Sequence, residues 1–501
     1  MTLASLLYDA EIPADRVLVS TGSTERTRAE IEERATELAA ALRALGVGDG
    51  TPVAVMLPNG PDVVAALFGV WAAHGVYVPI NPRFAAPEIA RILAMVRPAA
   101  VVTTADAREC AGEHATVVAH ADGWEAVVGG AWAPPPVTHD ADIALVQFTS
   151  GTTGRPKPVL LRHSGVLALL DGVIRKLRGP ARDREPRREP MPNLVPVSLS
   201  LWAGIYQVLF ALRVGAGVVL MDHFDTARFA ALVRRFGIRS TVLPPGAMVM
   251  LTDDETIGDL APLRYVRSIS APLSPFQARR FRDRFGISVL NGYGQTEIGG
   301  EVVGWGASDI ASFGDTKLGS VGRPHEGVTV RIAGADGAPL GIEEPGEIWV
   351  QTPALAAGYA EGGDLSDRLT PDGWFRTGDV GRVDADGFVW VEGRVSDMIN
   401  RGGLKVFPEE VAEVLRLDTA VVDVAVVGVP DDRLGEVPWA FVVTDGSALD
   451  AAALETLVRA HVAPYKVPVR FERVDALPRN EIGKVLVGDL VRRARLSGGP
   501  A

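Results

Sequence analysis

Apolar positions along the chain switch between two periods. Thr27 and Glu30 have capping-box spacing, and Ile31, Ala35, Leu38, Leu42 and Leu45 then recur at helical intervals until Gly46. A strand pattern follows at 52–57. A continuous apolar run at 63–73 reads as a buried helix, and short β-branched runs occupy 76–80 and 99–103. The alternation resumes with helices at 205–213 and 229–236 and strands at 217–221, 241–243 and 286–290. Such alternation predicts an α/β domain with a largely parallel sheet. Beyond Gly319 the texture becomes β, with strands at 328–332, 346–351 and 387–392 and Gly- and Asp-rich turns between them. After Arg394 a fresh α/β pattern starts: helices at 406–416 and 454–462, strands at 421–427 and 440–443. The expected fold class is therefore α/β. A large N-terminal domain of mostly parallel sheets with a small β subdomain spans 1–393. A small α/β C-terminal domain spans 394–501, with the boundary at 394–397. At 501 residues the chain is too long for one core.

One loop interrupts this pattern with chemistry. The apolar run 143–148 reads as a buried strand, and it runs into Thr149, Ser150, Gly151, Thr152, Thr153 and Gly154 before reaching Lys157. Glycines let the backbone approach a phosphate closely. The hydroxyls add donors and the lysine adds charge, so the loop suits a polyphosphate. It is not a Walker A loop, because Gly151 and Gly154 are three apart and the lysine follows a proline.

Bulk composition narrows the field. A formal net charge of −12 argues against nucleic acid as a main partner. One cysteine, Cys110, rules out an intramolecular disulfide framework and reads as a core thiol. The N-terminus lacks signal-peptide architecture, and the run 63–73 is too short to cross a bilayer, so the expected location is the cytoplasm. Segment 175–189 is the one charge-dense stretch, with seven basic and three acidic side chains. It reads either as a solvated loop or as a landing site for an anionic cosubstrate.

Further motifs then fall in a fixed order: GYGQTE at 292–297, KLGSVGRP at 317–324, GEIWV at 346–350, WFRTGD ending at Asp379, GRVSDMI from Gly393, RGGLKVFPEEV at 401–411 and LPRNEIGK ending at Lys484. Together with TSGTTGRPK at 149–157 they resemble the acyl-adenylate-forming superfamily over nearly the whole chain, most closely its AMP-forming acyl-CoA synthetases. The resemblance implies attack of a carboxylate on the α-phosphorus of ATP, release of pyrophosphate, and transfer of the acyl group to the thiol of coenzyme A. The implied cofactors are ATP, Mg²⁺ and coenzyme A. The implied partners are a small carboxylic acid and, as a second possibility, a carrier protein; oligomeric state is left open.

The resemblance also distributes roles. The 151–157 loop grips the β- and γ-phosphates, Thr296 donates to the α-phosphate, and Glu297 holds the metal. Tyr293, between Gly292 and Gly294, stacks on adenine. Ser270, Ala271 and Pro272 line the adenine pocket. Asp379 accepts from the ribose hydroxyls, with Arg394 as a second ribose contact. Lys484 is the catalytic lysine of a small domain that swings about a hinge at Ser396. After that swing, Gly402, Gly403, Leu404 and Lys405 shape the thiol tunnel. Pro158 replaces a usual glycine and removes a backbone donor. Ser396 stands where Asp or Lys is usual, and Ile269 stands where a glycine is usual. Leu201, Trp202 and Tyr206 suggest an apolar acyl pocket. Trp202 stands where peptide-synthetase domains carry an ammonium-pairing Asp, so an aliphatic, alicyclic or aryl acid is expected rather than an α-amino acid. Trp202 also admits a plain reading as core packing. Two other readings stand beside the ligase: loading of a carrier-protein phosphopantetheine arm, and a nucleotide- or adenylate-binding protein competent in only one half-reaction.

Overall fold

The computed structural model describes residues 2–127, 137–149, 157–178, 190–269, 271, 273, 275–314, 316–360, 363–479 and 485–497. A seven-stranded sheet forms its centre. In spatial order it runs Gly123–Val127, Thr116–His120, Ala100–Thr104, Thr51–Met56, Gly75–Pro79, Ile143–Thr149 and Lys157–Arg162. The middle five strands are parallel, and the two edge strands pair antiparallel. Central strands buried on both faces need continuous apolar runs, and every residue of Thr51–Met56 and Gly75–Pro79 is buried. Helix Arg28–Ala44 begins at Thr27 with the capping box made: the Thr27 N–H donates to Glu30 Oε2 (2.7 Å) and the Glu30 N–H to Thr27 Oγ1 (3.3 Å). Helix Pro61–Ala72 buries nine residues, which explains its lack of a polar face.

Two more sheets complete the α/β part. Strands Ser240–Leu243, Tyr265–Ser268 and Ser288–Asn291 are parallel, with their own core built around Phe229, Leu251 and Phe281. Strands Asn193–Val195, Val218–Leu220, Val17–Ser20 and Glu25–Thr27 form a mixed sheet. The β texture past Gly319 becomes an antiparallel sheet of Thr329–Ala333, Gly346–Gln351, Phe375–Val383 and Val389–Arg394.

Beyond Arg394 the sheet is mainly antiparallel. Val421–Asp431 and Gly435–Thr444 form one long hairpin, with Arg470–Arg473 added parallel to its second strand. Only three residues join the hairpin strands, and so short a connection permits antiparallel pairing alone. Gly428, Pro430, Gly435 and Pro438 hid the full strand lengths from the hydrophobic pattern.

Two side-chain expectations are corrected. Cys110 is half-buried rather than a core thiol, because it lies in the short 3-10 turn Arg108–Ala111, where only Ala111 is fully buried. The start of the charge-dense stretch is not a solvated loop. Residues 175–178 end helix His163–Arg178, and the Lys176 side chain is partly buried, its ammonium donating to the carbonyls of Gly304 (2.6 Å), Arg323 (2.5 Å) and Pro324 (3.3 Å). Residues 179–189 lie outside the described residues.

Candidate active site

The phosphate-loop strands are placed by their pairing register. Thr149 lies opposite Lys157, so the two residues flanking the loop are neighbours across the ladder. Ser150, Gly151, Thr152, Thr153 and Gly154 lie outside the described residues. Segment 356–360 locks this edge to the GYGQTE turn. Ala360 N–H donates to the Pro158 carbonyl (2.8 Å), Ala357 N–H to the Leu160 carbonyl (2.9 Å), and Ala356 N–H to the Glu297 carbonyl (2.8 Å). Pro158 is thus held through its own carbonyl. The Lys157 ammonium sits 5.6 Å from the centre of the Tyr359 ring. The Tyr359 hydroxyl is raised by burial and then by the charge of the Glu297 carboxylate.

From Glu297 the charged strip continues. Arg368 reaches Glu297 Oε1 (3.5 Å), Gln295 Oε1 (3.2 Å) and the Thr377 carbonyl (2.6 Å). Gln295 Nε2 donates to Asp379 Oδ2 (2.6 Å) and to the Thr377 carbonyl (2.9 Å). Asp379 is buried. Its Oδ2 also accepts from the Tyr293 hydroxyl (2.8 Å), and its Oδ1 pairs with Arg394 Nε (3.0 Å). The Asp379–Arg394 pair is a ladder register pair between strands Phe375–Val383 and Val389–Arg394, so the sheet itself positions it. The Tyr293 hydroxyl is pushed well up, first by burial and then by Asp379. Gly294 is required by packing, since a Cβ there would lie 1.7 Å from the Gly300 carbonyl oxygen. Arg368 and Gln295 were given no role from sequence. Gln295 stood inside a named motif, whereas nothing in the sequence marked Arg368.

Of the adenine segment, Ala271 is half-buried, and Ser270 and Pro272 lie outside the described residues. Ile269 packs toward Gly292, where an added Cβ would lie 3.1 Å from Ile269 Cγ2. Ser396 lies in the turn Val395–Asp397, its Oγ 2.9 Å from Asp397 Oδ1. The thiol-tunnel segment is a hairpin tip joining Ile399–Arg401 to Leu404–Val406. Gly402 and Gly403 have φ of 60° and 88°, a left-handed turn that favours glycine, and Leu404 and Lys405 are exposed. Lys484 lies outside the described residues.

Helix Trp202–Arg213 carries the acyl-pocket candidates, and Leu201 is its N-cap. Trp202 is buried and fixed to the GYGQTE turn, its Nε1–H donating to the Gly299 carbonyl (3.1 Å). Tyr206 lies edge-on to it at 5.7 Å. Behind them is a buried ion cluster that the apolar-pocket expectation did not include. Arg267 Nη2 pairs with Glu301 Oε1, which also accepts from His325 Nε2 (3.1 Å). Glu301 interrupts an otherwise apolar strand, GEVVG, and that break was the available signal. Burial alone raises the Glu301 carboxyl; Arg267 and then His325 outweigh it and hold the pKa at about 2. A carboxyl depressed in the folded state contributes stability that is fully present above its unfolded value and lost as pH falls through the folded one. Between about pH 4.5 and 2 the wild type is therefore expected to lose on the order of 3 kcal/mol. Denaturant midpoints across that window should show Glu301→Gln less stable at neutral pH and nearly flat where the wild type falls.

The AMP-binding enzyme model matches residues 8–360, and the AMP-binding enzyme C-terminal domain model matches residues 410–484. The chain belongs to the AMP-binding enzyme family, and by class it is an AMP-forming acid–thiol ligase. It is 34% identical over 94% of its length to a feruloyl-CoA synthase of an Amycolatopsis species, covering 94% of that protein. It is 33% identical over 88% of its length to a sulfoacetate–CoA ligase of Cupriavidus necator, covering 87% of it. ATP-bound MatB from Rhodopseudomonas palustris superposes with a TM-score of 0.87 at 25% identity, over 99% of each chain.

Proposed function

We propose that the protein joins an apolar, aryl-bearing carboxylic acid to coenzyme A through an acyl adenylate. The observation that carries this is the continuous strip Lys157–Tyr359–Glu297–Arg368–Gln295–Asp379–Arg394. We assign Lys157 to the phosphates, Glu297 to the metal and Asp379 to the ribose, the order in which ATP presents its groups. Lys157 and the loop 151–154 take the β- and γ-phosphates. Thr149 begins that loop, and Thr296 donates to the α-phosphate as charge develops there. Among the described residues no cluster of three or more ligating side chains exists. Mg²⁺ binds through one or two carboxylates plus phosphate oxygens; Glu297 would hold it, and the ion would neutralise phosphate charge. Tyr293 and Asp379 take the nucleoside, Trp202 and Tyr206 the acid. Lys484 bridges carboxylate and α-phosphate during the first step. The small domain, from the boundary at 394–397, then turns about Ser396 and brings the Gly402–Gly403 tip to the thiol. The two relatives act on unlike acids, so the aryl reading rests on the paired rings of Trp202 and Tyr206. No described helix is long and apolar enough to cross a membrane, and a cytoplasmic location accords with the single cysteine.

A panel of acids with ATP, with and without coenzyme A, tests this reading. AMP and pyrophosphate are expected, with release dependent on Mg²⁺, and proteinogenic α-amino acids should be poor substrates because an unpaired buried ammonium is costly. Stoichiometric ADP, or pyrophosphate exchange fastest with an α-amino acid, would contradict it.

A further inference from the structure

Arg368 stands in none of the sequence motifs, yet its guanidinium is held from several directions. It closes the short turn Ser366–Arg368, and its guanidinium carbon lies 4.3 Å from the centre of the buried Phe375 ring. Nε donates to the Arg376 carbonyl (3.0 Å), and Nη2 donates to the Thr377 carbonyl (2.6 Å) and to Gln295 Oε1 (3.2 Å). Nη1 faces Glu297 Oε1 at 3.5 Å, a charge contact more than a full hydrogen bond. The consequence falls on Gln295. Its Nε2 meets two groups that accept, the Asp379 carboxylate (2.6 Å) and the Thr377 carbonyl (2.9 Å). A guanidinium can only donate. One orientation of the Gln295 amide therefore satisfies all three partners. The flipped one would set Oε1 against two acceptors and Nε2 against a donor.

The amide in turn governs the carboxylate. Asp379 Oδ2 accepts from both Gln295 and the Tyr293 hydroxyl (2.8 Å), while Oδ1 meets Arg394 Nε (3.0 Å). Each carboxylate oxygen offers two lone-pair sites, so Oδ2 is filled and Oδ1 keeps a site for an incoming hydroxyl. Resting on the reading in which Asp379 receives the ribose, we propose that Arg368 is a positioning residue that orients Asp379 through Gln295. Arg368 fixes the face of the amide, and the amide fixes the plane of the carboxylate. Through Nη1 the same guanidinium reaches Glu297, so one rigid group sets the spacing between the two carboxylates assigned to the nucleotide. A lysine would not replace it, because a point charge on a flexible stem has no plane to impose.

The test is calorimetric binding of AMP and of 2′,3′-dideoxy-AMP to the full chain without Mg²⁺. The wild type should prefer AMP by on the order of 100-fold. Arg368→Met keeps the stem over Phe375 and removes every donor; it should cut that preference to about tenfold. Arg368→Lys, which keeps the charge near Glu297, should cut it as well. Gln295→Met should match Arg368→Met, and adding the second substitution to the first should change the preference by less than about twofold, because both act in one chain of contacts. The ratio of two ligands on one protein does not depend on the fraction folded. An arginine serving only to brace the 366–376 segment would lower Tm and leave the ratio unmoved. An unchanged ratio in Arg368→Met, or losses that add in the double variant, overturns the relay while leaving the ribose assignment of Asp379 intact. Equal affinity of the wild type for both nucleotides overturns that assignment itself, and the relay with it.

Discussion

Lys484→Ala is expected to abolish acyl-adenylate formation from acid and ATP while largely sparing thioester formation from a supplied acyl adenylate and coenzyme A. A lysine is a compact charge on a flexible stem. In the role proposed for it, between the attacking carboxylate and the α-phosphate, it would stabilise charge that exists only in the first transition state. Removing one such group costs roughly 10²–10³ in rate. Gly403 supplies the converse. It takes φ of 88° at an exposed hairpin tip, with its N–H held by Asn400 Oδ1 at 3.1 Å. A bulky side chain there strains the turn and obstructs the face assigned to the thiol, so adenylation should persist while thioester formation drops. Synthetic adenylate discriminates because it bypasses the first step. If Lys484→Ala slowed both steps equally, the lysine would serve a shared or structural role, and rotation about Ser396 would lose its main support.

The second large effect is expected at Asp379. Its two oxygens are held by Tyr293, Gln295 and Arg394, so the carboxylate is pre-organised before nucleotide arrives. Hydrogen bonds to charged groups contribute about 1.5–3 kcal/mol each, so Asp379→Asn should raise the KM for ATP on the order of 100-fold. The specific check is a cycle with 2′,3′-dideoxy-ATP. The wild type should lose about as much on that analogue as the variant loses on ATP, and the variant should lose little more. Additive losses would detach Asp379 from the ribose hydroxyls and leave it as a strut for Tyr293.

How much of this was legible in sequence differs by element. Thr27 and Glu30 specified a helix start because the capping box is local, satisfying its own backbone donors within four residues. The runs at 52–57, 76–80 and 143–148 announced central strands because burial on both faces favours near-continuous apolar runs, in which Gln147 is the one polar amide. The motifs marked the loop 149–157, Glu297 and Asp379 as candidates by order and spacing, and the structure sets Glu297 and Asp379 on either side of Arg368 and Gln295. The C-terminal hairpin was only half legible, since Gly428, Pro430 and Pro438 broke its apolar pattern while antiparallel pairing carried the strands through.

What sequence determined, then, was whatever is enforced by neighbours along the chain: periodicity, caps, and the motif loops whose chemistry sits within a few residues. Tertiary structure alone decided what depends on approach across the fold. It stitched segment 356–360 between Lys157 and Glu297 through backbone groups that carry no side-chain signature. It drew Lys176 out of a charge run to satisfy three carbonyls, the nearest 128 positions away along the chain. It also set Arg267, Glu301 and His325, from three separate segments, behind Tyr206. A buried charge is tolerable only where its partner is met in space, and that condition cannot be read one residue at a time.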